Sequence, residues 1–320
     1  MDAFAKMNLL GTQRTPFLFM IDFEMNHPMV IPVQEVEENV LLYDIDGFKN
    51  YTPQQPDNSQ CFFRLKEAVS RERYSIAFDY CLQQLRLGNS YLLNLTFPSV
   101  VETNLTLKDI FFLSSSKYKV WYQDSFVCFS PETFVKIYDG KIFSFPMKGT
   151  IDASIPNARE IILNDEKETA EHYTIVDLIR NDLSMVAKNV RVDNFRYVDH
   201  ISTNNKNLLQ ISSQISGLLP ANYAAGIGDI MRTLLPAGSV SGAPKKKTVE
   251  IIQQAEQYQR GFYTGVFGYF DGTILNSAVM IRFVENIEGT LFYKSGGGIT
   301  TRSRQEDEYK ELLDKIYLSA

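Results

Sequence analysis

Two pairs of carboxylates, each with its members three residues apart, are the first chemical feature of this 320-residue chain. Glu168 and Glu171 fall one turn apart on a predicted helix, and Glu308, Glu311 and Lys315 form an i, i+3, i+7 stripe on a second. Four carboxylates brought together would repel unless a cation or a positively charged substrate stood among them. Hard oxygen donors that leave room for substrate oxygens suit magnesium better than zinc. A plainer reading stands beside this one. Glu168 lies in capping-box register with Asp165, and acids on helix surfaces are ordinarily just solvated.

Other residues are individually weaker. Gly296-Gly297-Gly298 lies, by pattern, between a strand and the second helix, where bare amides could approach an anion. The segment from residue 238 to 245 resembles a phosphate loop only superficially, because its second glycine comes too early and Pro244 separates it from Lys245. Lys148 taken alone is an exposed turn residue just past a strand, and Glu132 a loop acid. His172 reads as a structural hydrogen-bonding residue, and His27 and His200 as loop positions, so no histidine triad or metal cluster is expected. Arg282, between Ile281 and Phe283 in a predicted strand, needs a partner, most simply a salt bridge within the fold.

The elements that must position these groups follow from periodicity. A helix is predicted over residues 65–87 with Gly88 as its left-handed cap, then a strand through Tyr91, Leu93 and Leu95. Residues 119–150 read as antiparallel strands, with Asp139-Gly140 as a hairpin turn. The two chemistry-bearing helices are predicted over 165–188, capped by Asp165, and over 304–318, capped by Ser303. Strands are predicted between them at 262–270, 275–283 and 291–293. Residues 52–60 form a polar, proline-containing loop. Strands in hairpin order interspersed with helices indicate an α+β fold, and without repeats or linkers one domain over 1–320 is expected.

Composition narrows the function classes. With 44% hydrophobic and 22% charged residues the chain can build a large core. A net charge of -6 gives no footprint for nucleic acid, and no apolar run is long enough to span a bilayer, so neither nucleic acid nor membrane is an expected partner. The N-terminus lacks the basic start and apolar centre of a signal peptide, which makes a cytoplasmic location the expectation. Cys61, Cys81 and Cys128 lack zinc or redox spacing and read as buried thiols.

Taken in order, these segments resemble the chorismate-binding enzyme family, which includes anthranilate, aminodeoxychorismate, isochorismate and salicylate synthases. The resemblance spans about residues 85–316. It is carried by residues 88–96 (Gly-Asn-Ser-Tyr-Leu-Leu-Asn-Leu-Thr), Ser130-Pro131-Glu132, Pro146-Met147-Lys148-Gly149-Thr150, and Asp165 to Glu168 leading into Ala170-Glu171-His172. It continues through 175–183, 238–245, Tyr263-Thr264-Gly265, Ile281-Arg282, 296–299 and Glu308-Tyr309. The family's fold is an α/β sandwich of two facing, mainly antiparallel sheets flanked by helices. Residues 1–64 correspond to a shortened N-terminal part in which no tryptophan-binding regulatory site is expected, and no fused lyase is expected after Ala320.

Position by position, the resemblance implies that Glu168, Glu171, Glu308 and Glu311 surround magnesium, which holds the ring carboxylate of chorismate. Arg282 and Tyr263 would bind the enolpyruvyl carboxylate with the amides of Gly297 and Gly298, and Ser241, Lys315 and Thr150 would complete the substrate site. Lys148 stands where members that aminate carbon 4 have a lysine nucleophile and anthranilate synthases have alanine. Glu132 matches the general acid. Leu92 occupies the place of the lysine that activates water in isochorismate and salicylate synthases, and of the glutamine usual in aminating members. Gln210 replaces a histidine, Ser241 a threonine and Met147 an isoleucine. The implied activity is amination of chorismate at carbon 4, with ammonia from a separate glutamine amidotransferase subunit or from free ammonium. An anthranilate synthase large subunit and a catalytically silent chorismate-binding paralogue are the alternatives.

Overall fold

The computed structural model describes residues 1–54, 61–202 and 207–318, so most of the predicted loop over 52–60, and Ala320, lie outside the described residues. The fold is α+β, with two mainly antiparallel sheets flanked by helices, as expected. No helix among the described residues is long and apolar enough to cross a membrane. Two compact units share the chain: residues 1–17, 133–239 and 270–277 make the first, and residues 18–132, 240–269 and 278–320 the second.

In the first unit, the strand Asn207–Leu218 pairs with two strands in succession along one side. Lys141–Ser144 takes its far half and Met147–Asp152 its near half, with Pro146 marking the break because it cannot donate to a ladder. Lys148, expected just past a strand, therefore lies inside one, at a register shift between Lys148 and Thr150. The strand Lys188–Ser202 covers the other side, so His200 belongs to a strand and not to a loop. Asp139 (φ 50°) and Gly140 (φ 68°) form the expected hairpin turn joining Thr133–Tyr138 to Lys141–Ser144; positive φ at both central residues gives it the twist a two-residue hairpin needs. The helix Glu166–Ser184 starts where expected, the Asp165 side chain accepting from the Glu168 amide, but ends four residues early. It buries Ile175, Leu178, Ile179 and Leu183. The helix Ala3–Thr12 was not legible in the sequence.

In the second unit the longest strand of the sheet is Leu92–Thr103. Its alternating Leu93, Leu95 and Phe97 pack with Tyr74, Phe78, Ile251, Ile299 and Leu312 from neighbouring elements. Each such fully buried side chain contributes roughly 1.5–3 kcal/mol. The helix predicted over 65–87 divides: Phe63–Glu67 is a strand on Leu92–Thr103, and the helix is Arg71–Arg86, capped by the Ser70 side chain and ended by Gly88 at φ 76°. The period-2 alternation of residues 63–67 was absorbed into the helical pattern that follows it.

Three further expectations change in this unit. The glycine triplet belongs to the strand Thr290–Ile299, with Gly296, Gly297 and Gly298 opposite Thr96, Leu95 and Asn94. A side chain at Gly296 would meet the Leu95 carbonyl oxygen at 2.2 Å, so close strand approach explains that glycine. Arg282 is not in a strand: at φ 53° it joins Leu275–Val279 to Phe283–Ile287. The last helix is Gln305–Asp314 with Arg304, not Ser303, at its N-cap; the Ser303 hydroxyl accepts instead from the Thr300 amide, and Lys315 is the C-cap.

Candidate active site

In the first unit, Lys148 is presented by a kinked strand. Gly149 sits at φ 73°, where glycine is the residue that pays no steric penalty, and a Cβ there would lie 3.3 Å from Glu168 Oε2. The register shift turns Lys148 toward the helix Glu166–Ser184, where its Nζ donates to Glu171 Oε2 at 3.0 Å. Burial, then the neighbouring Glu171, raises the Glu168 carboxyl above the usual carboxylate range, with Lys148 opposing. Thr150 accepts from Gln210 Nε2 at 3.3 Å. His172 is buried and shares a 2.7 Å hydrogen bond with Ser213 Oγ, the structural role expected of it, and burial pushes its imidazole down to about 4. Ser213 in turn donates its amide to Pro146 O, tying the helix to the chain entering the Lys148 strand.

In the second unit, Glu308 and Glu311 lie over Gly297: a Cβ there would stand 3.5 Å from Glu308 Oε2 and 3.3 Å from Glu311 Oε1. Lys315 Nζ pairs with Glu311 Oε1 at 2.7 Å and donates to Gly296 O at 2.8 Å. Tyr263 is buried in a turn, and burial raises its phenol far above the usual value. The Arg282 guanidinium lies over the Tyr317 ring, 4.6 Å from its centroid. Ser241 is fully buried at the end of the short helix Gly238–Ser241. Glu132 follows the strand Phe126–Ser130; its amide donates to Ser130 Oγ at 3.1 Å and its carbonyl accepts from the Val279 amide.

The carboxylates suit a hard divalent cation in kind. Each pair offers oxygens one helical turn apart, and a cation would offset the burial and the Glu171 charge that raise Glu168. Among the described residues no group of three or more Asp, Glu, His or Cys side chains stands together as a metal cluster.

The sequence of the chorismate binding enzyme family matches residues 22–319. The chain belongs to this family. An uncharacterized PabA-like protein of Haemophilus influenzae is 51% identical over 311 residues, covering 97% of this chain and 94% of that one. Aminodeoxychorismate synthase component 1 of Escherichia coli is 30% identical over 269 residues, 78% of this chain and 57% of that one. Among solved structures, anthranilate synthase component I from Streptococcus pneumoniae superposes with a TM-score of 0.69 at 25% identity, over 82% of this chain and 60% of that one.

Two residues named from the sequence support the site from behind. Gln210 supports Thr150, and His172 braces the helix that carries Glu171. The sequence also did not single out the buried Glu256–Arg260 ion pair, 1% exposed on both sides. Its four-residue spacing was visible, but in sequence it is indistinguishable from a pair on a solvated helix face.

Proposed function

We propose that the chain is a synthase subunit that aminates chorismate at ring carbon 4, giving 4-amino-4-deoxychorismate, a precursor of 4-aminobenzoate in folate synthesis. The observation that carries the reading is Lys148: it issues from a strand kinked at Gly149, and its Nζ is held 3.0 Å from Glu171 Oε2, beside the carboxylates of the helix Glu166–Ser184. The neutral amine attacks carbon 2, the ring double bond shifts, and the bond from carbon 4 to its hydroxyl breaks as Glu132 donates a proton, releasing water. Ammonia then adds at carbon 4, the double bond returns, the carbon–nitrogen bond to Lys148 breaks, and the surplus proton restores Glu132. Tyr263, Arg282, Ser241, Lys315, Thr150 and the Gly297 and Gly298 amides would hold the substrate. Glu168, Glu171, Glu308 and Glu311 would hold magnesium, which when bound supplies electrophilic pull on the ring carboxylate.

Ammonia would come from a glutamine amidotransferase partner or from free ammonium. Cys81 and Cys128 are buried, and burial raises the Cys81 thiol to about 12, which suits neither to glutamine hydrolysis. The test is product analysis with purified chain, chorismate, magnesium and ammonium at mildly alkaline pH. The expected product is 4-amino-4-deoxychorismate. Fluorescent anthranilate as the main product would overturn the assignment in favour of an anthranilate synthase, and unconsumed chorismate would favour a silent paralogue. Trapped enzyme should carry the adduct mass on the peptide that contains Lys148.

A further inference from the structure

Arg260 heads the largest fully buried side chains, and nothing in the chemistry above uses it. All five of its guanidinium hydrogens have acceptors. Nε and Nη2 fork onto Glu256 at 2.9 and 2.6 Å. Nη2 also reaches Asn94 O at 2.7 Å, while Nη1 reaches Val240 O at 2.9 Å and Thr264 Oγ1 at 3.2 Å. The guanidinium lies over the Phe23 ring, 4.5 Å from its centroid. Glu256 Oε1 also accepts from the Thr96 amide and hydroxyl. The main chain of Arg260 is clamped as well, its amide donating to Glu24 and its carbonyl accepting from Lys294.

The acceptors at Val240 and Thr264 give this hub its direction. Val240 immediately precedes Ser241, and Thr264 immediately follows Tyr263. Thr264 stands at φ 60°, a left-handed conformation costly for a β-branched residue. Its hydroxyl donates to Tyr263 O at 2.6 Å while accepting from Arg260, and its amide donates to Met280 O at 2.7 Å, two residues before Arg282. One guanidinium thus braces the strained turn that carries Tyr263 and the segment that carries Ser241.

We infer that Arg260 is a positioning residue, which holds Tyr263 and Ser241 in the one relative placement that lets both meet a substrate anion. The inference rests on the reading of these two residues as chorismate ligands. An interior salt bridge present for stability alone would need only Glu256; the three further bonds to separate segments are what a positioning role requires. Lysine cannot reproduce this, having three donors on a flexible stem instead of five in a plane.

The experiment uses the full chain with Arg260→Lys, which keeps the charge beside Glu256. Expected are cooperative unfolding, a KM for chorismate raised about tenfold, as lost charge-assisted hydrogen bonds imply, and kcat within about threefold of the wild type. Fluorotyrosine placed at Tyr263 gives a readout that needs no chorismate: one sharp ¹⁹F resonance in the wild type, broadened or split in Arg260→Lys. Should that variant not fold, Thr264→Gly, which fits the left-handed backbone but removes the hydroxyl, is expected to raise KM severalfold while unfolding stays cooperative. A lowered unfolding midpoint with KM and the Tyr263 resonance unchanged would overturn the inference. If the wild type neither binds nor consumes chorismate while the resonance still broadens in the variant, the proposed function fails and the positioning role stands.

Discussion

Each unit carries a helix with two glutamates three residues apart, a strand glycine beneath one or both of those carboxylates, and a lysine bonded to one of them. In the first unit these are Glu168 and Glu171, Gly149 and Lys148; in the second, Glu308 and Glu311, Gly297 and Lys315. The residue types match, but their mountings differ. Lys315 extends from the same helix as Glu311, and both side chains are 46% exposed, so water screens the pair. Lys148 comes from a different element, at a bulge, and its pair with Glu171 is 28% and 17% exposed. A lysine held by one backbone against a carboxylate held by another has a fixed direction. Placement, not composition, separates a candidate nucleophile from a helix-capping cation.

The largest expected effect tests that difference directly. Lys148→Ala should lower chorismate turnover by about a thousandfold or more, while Lys315→Ala should change KM only severalfold, both read in steady-state product assays. Similar losses from the two variants would erase the distinction. Acid should next affect the units unequally. His172 braces the first helix with its proton affinity lowered from 6.5 to about 4, so the unfolded chain binds a proton that the native chain refuses. Its stabilising contribution is complete above pH 6.5 and is lost as pH falls toward 4. Urea unfolding across that window should show a steeper decline for the wild type than for His172→Gln, and parallel curves would refute the assignment. At the corresponding place in the second unit, directly after Glu311, stands the buried Leu312, which has no proton to gain or lose. The smallest effect concerns the glycines. Gly149→Ala forces a side chain into φ 73° and should cost roughly 1–2 kcal/mol. Gly297→Ala, with no positive φ, should stay within about 1 kcal/mol of zero in stability. Equal urea midpoints for the two would show that the bulge carries no special strain.

How much of this was legible depended on how local the cause was. Asp165 capping its own helix and Asp139-Gly140 turning a hairpin depend on neighbours in sequence, and both stand where expected. The strands Lys188–Ser202 and Asn207–Leu218 were not foreseen. The first has Arg191, Asp193, Arg196 and Asp199 along an edge, with several register shifts and positive φ at Asn189 and Arg196, which blur the period-2 signal. The glycine triplet announced a close approach but not its cause, which is the Leu95 carbonyl at Gly296 and the two carboxylates at Gly297. The four-residue spacing of Glu256 and Arg260 fits one helix, yet the helix ends at Glu256 and Gln257 turns at φ 53°, leading the arginine inward. Contacts made across long separations in sequence leave no period to read.

The strand Leu92–Thr103 and its neighbour Thr290–Ile299 are separated by about 190 residues of chain. At a synthesis rate of ~5–20 residues per second, the first waits on the order of ten to forty seconds at the ribosome before the second exists. Throughout that interval Leu93, Leu95 and Phe97 lack that neighbour and Leu312 of the last helix. The nascent chain should therefore depend on chaperones that shield β-rich segments, and slowing translation downstream of residue 103 should raise aggregation more than slowing it upstream of residue 92.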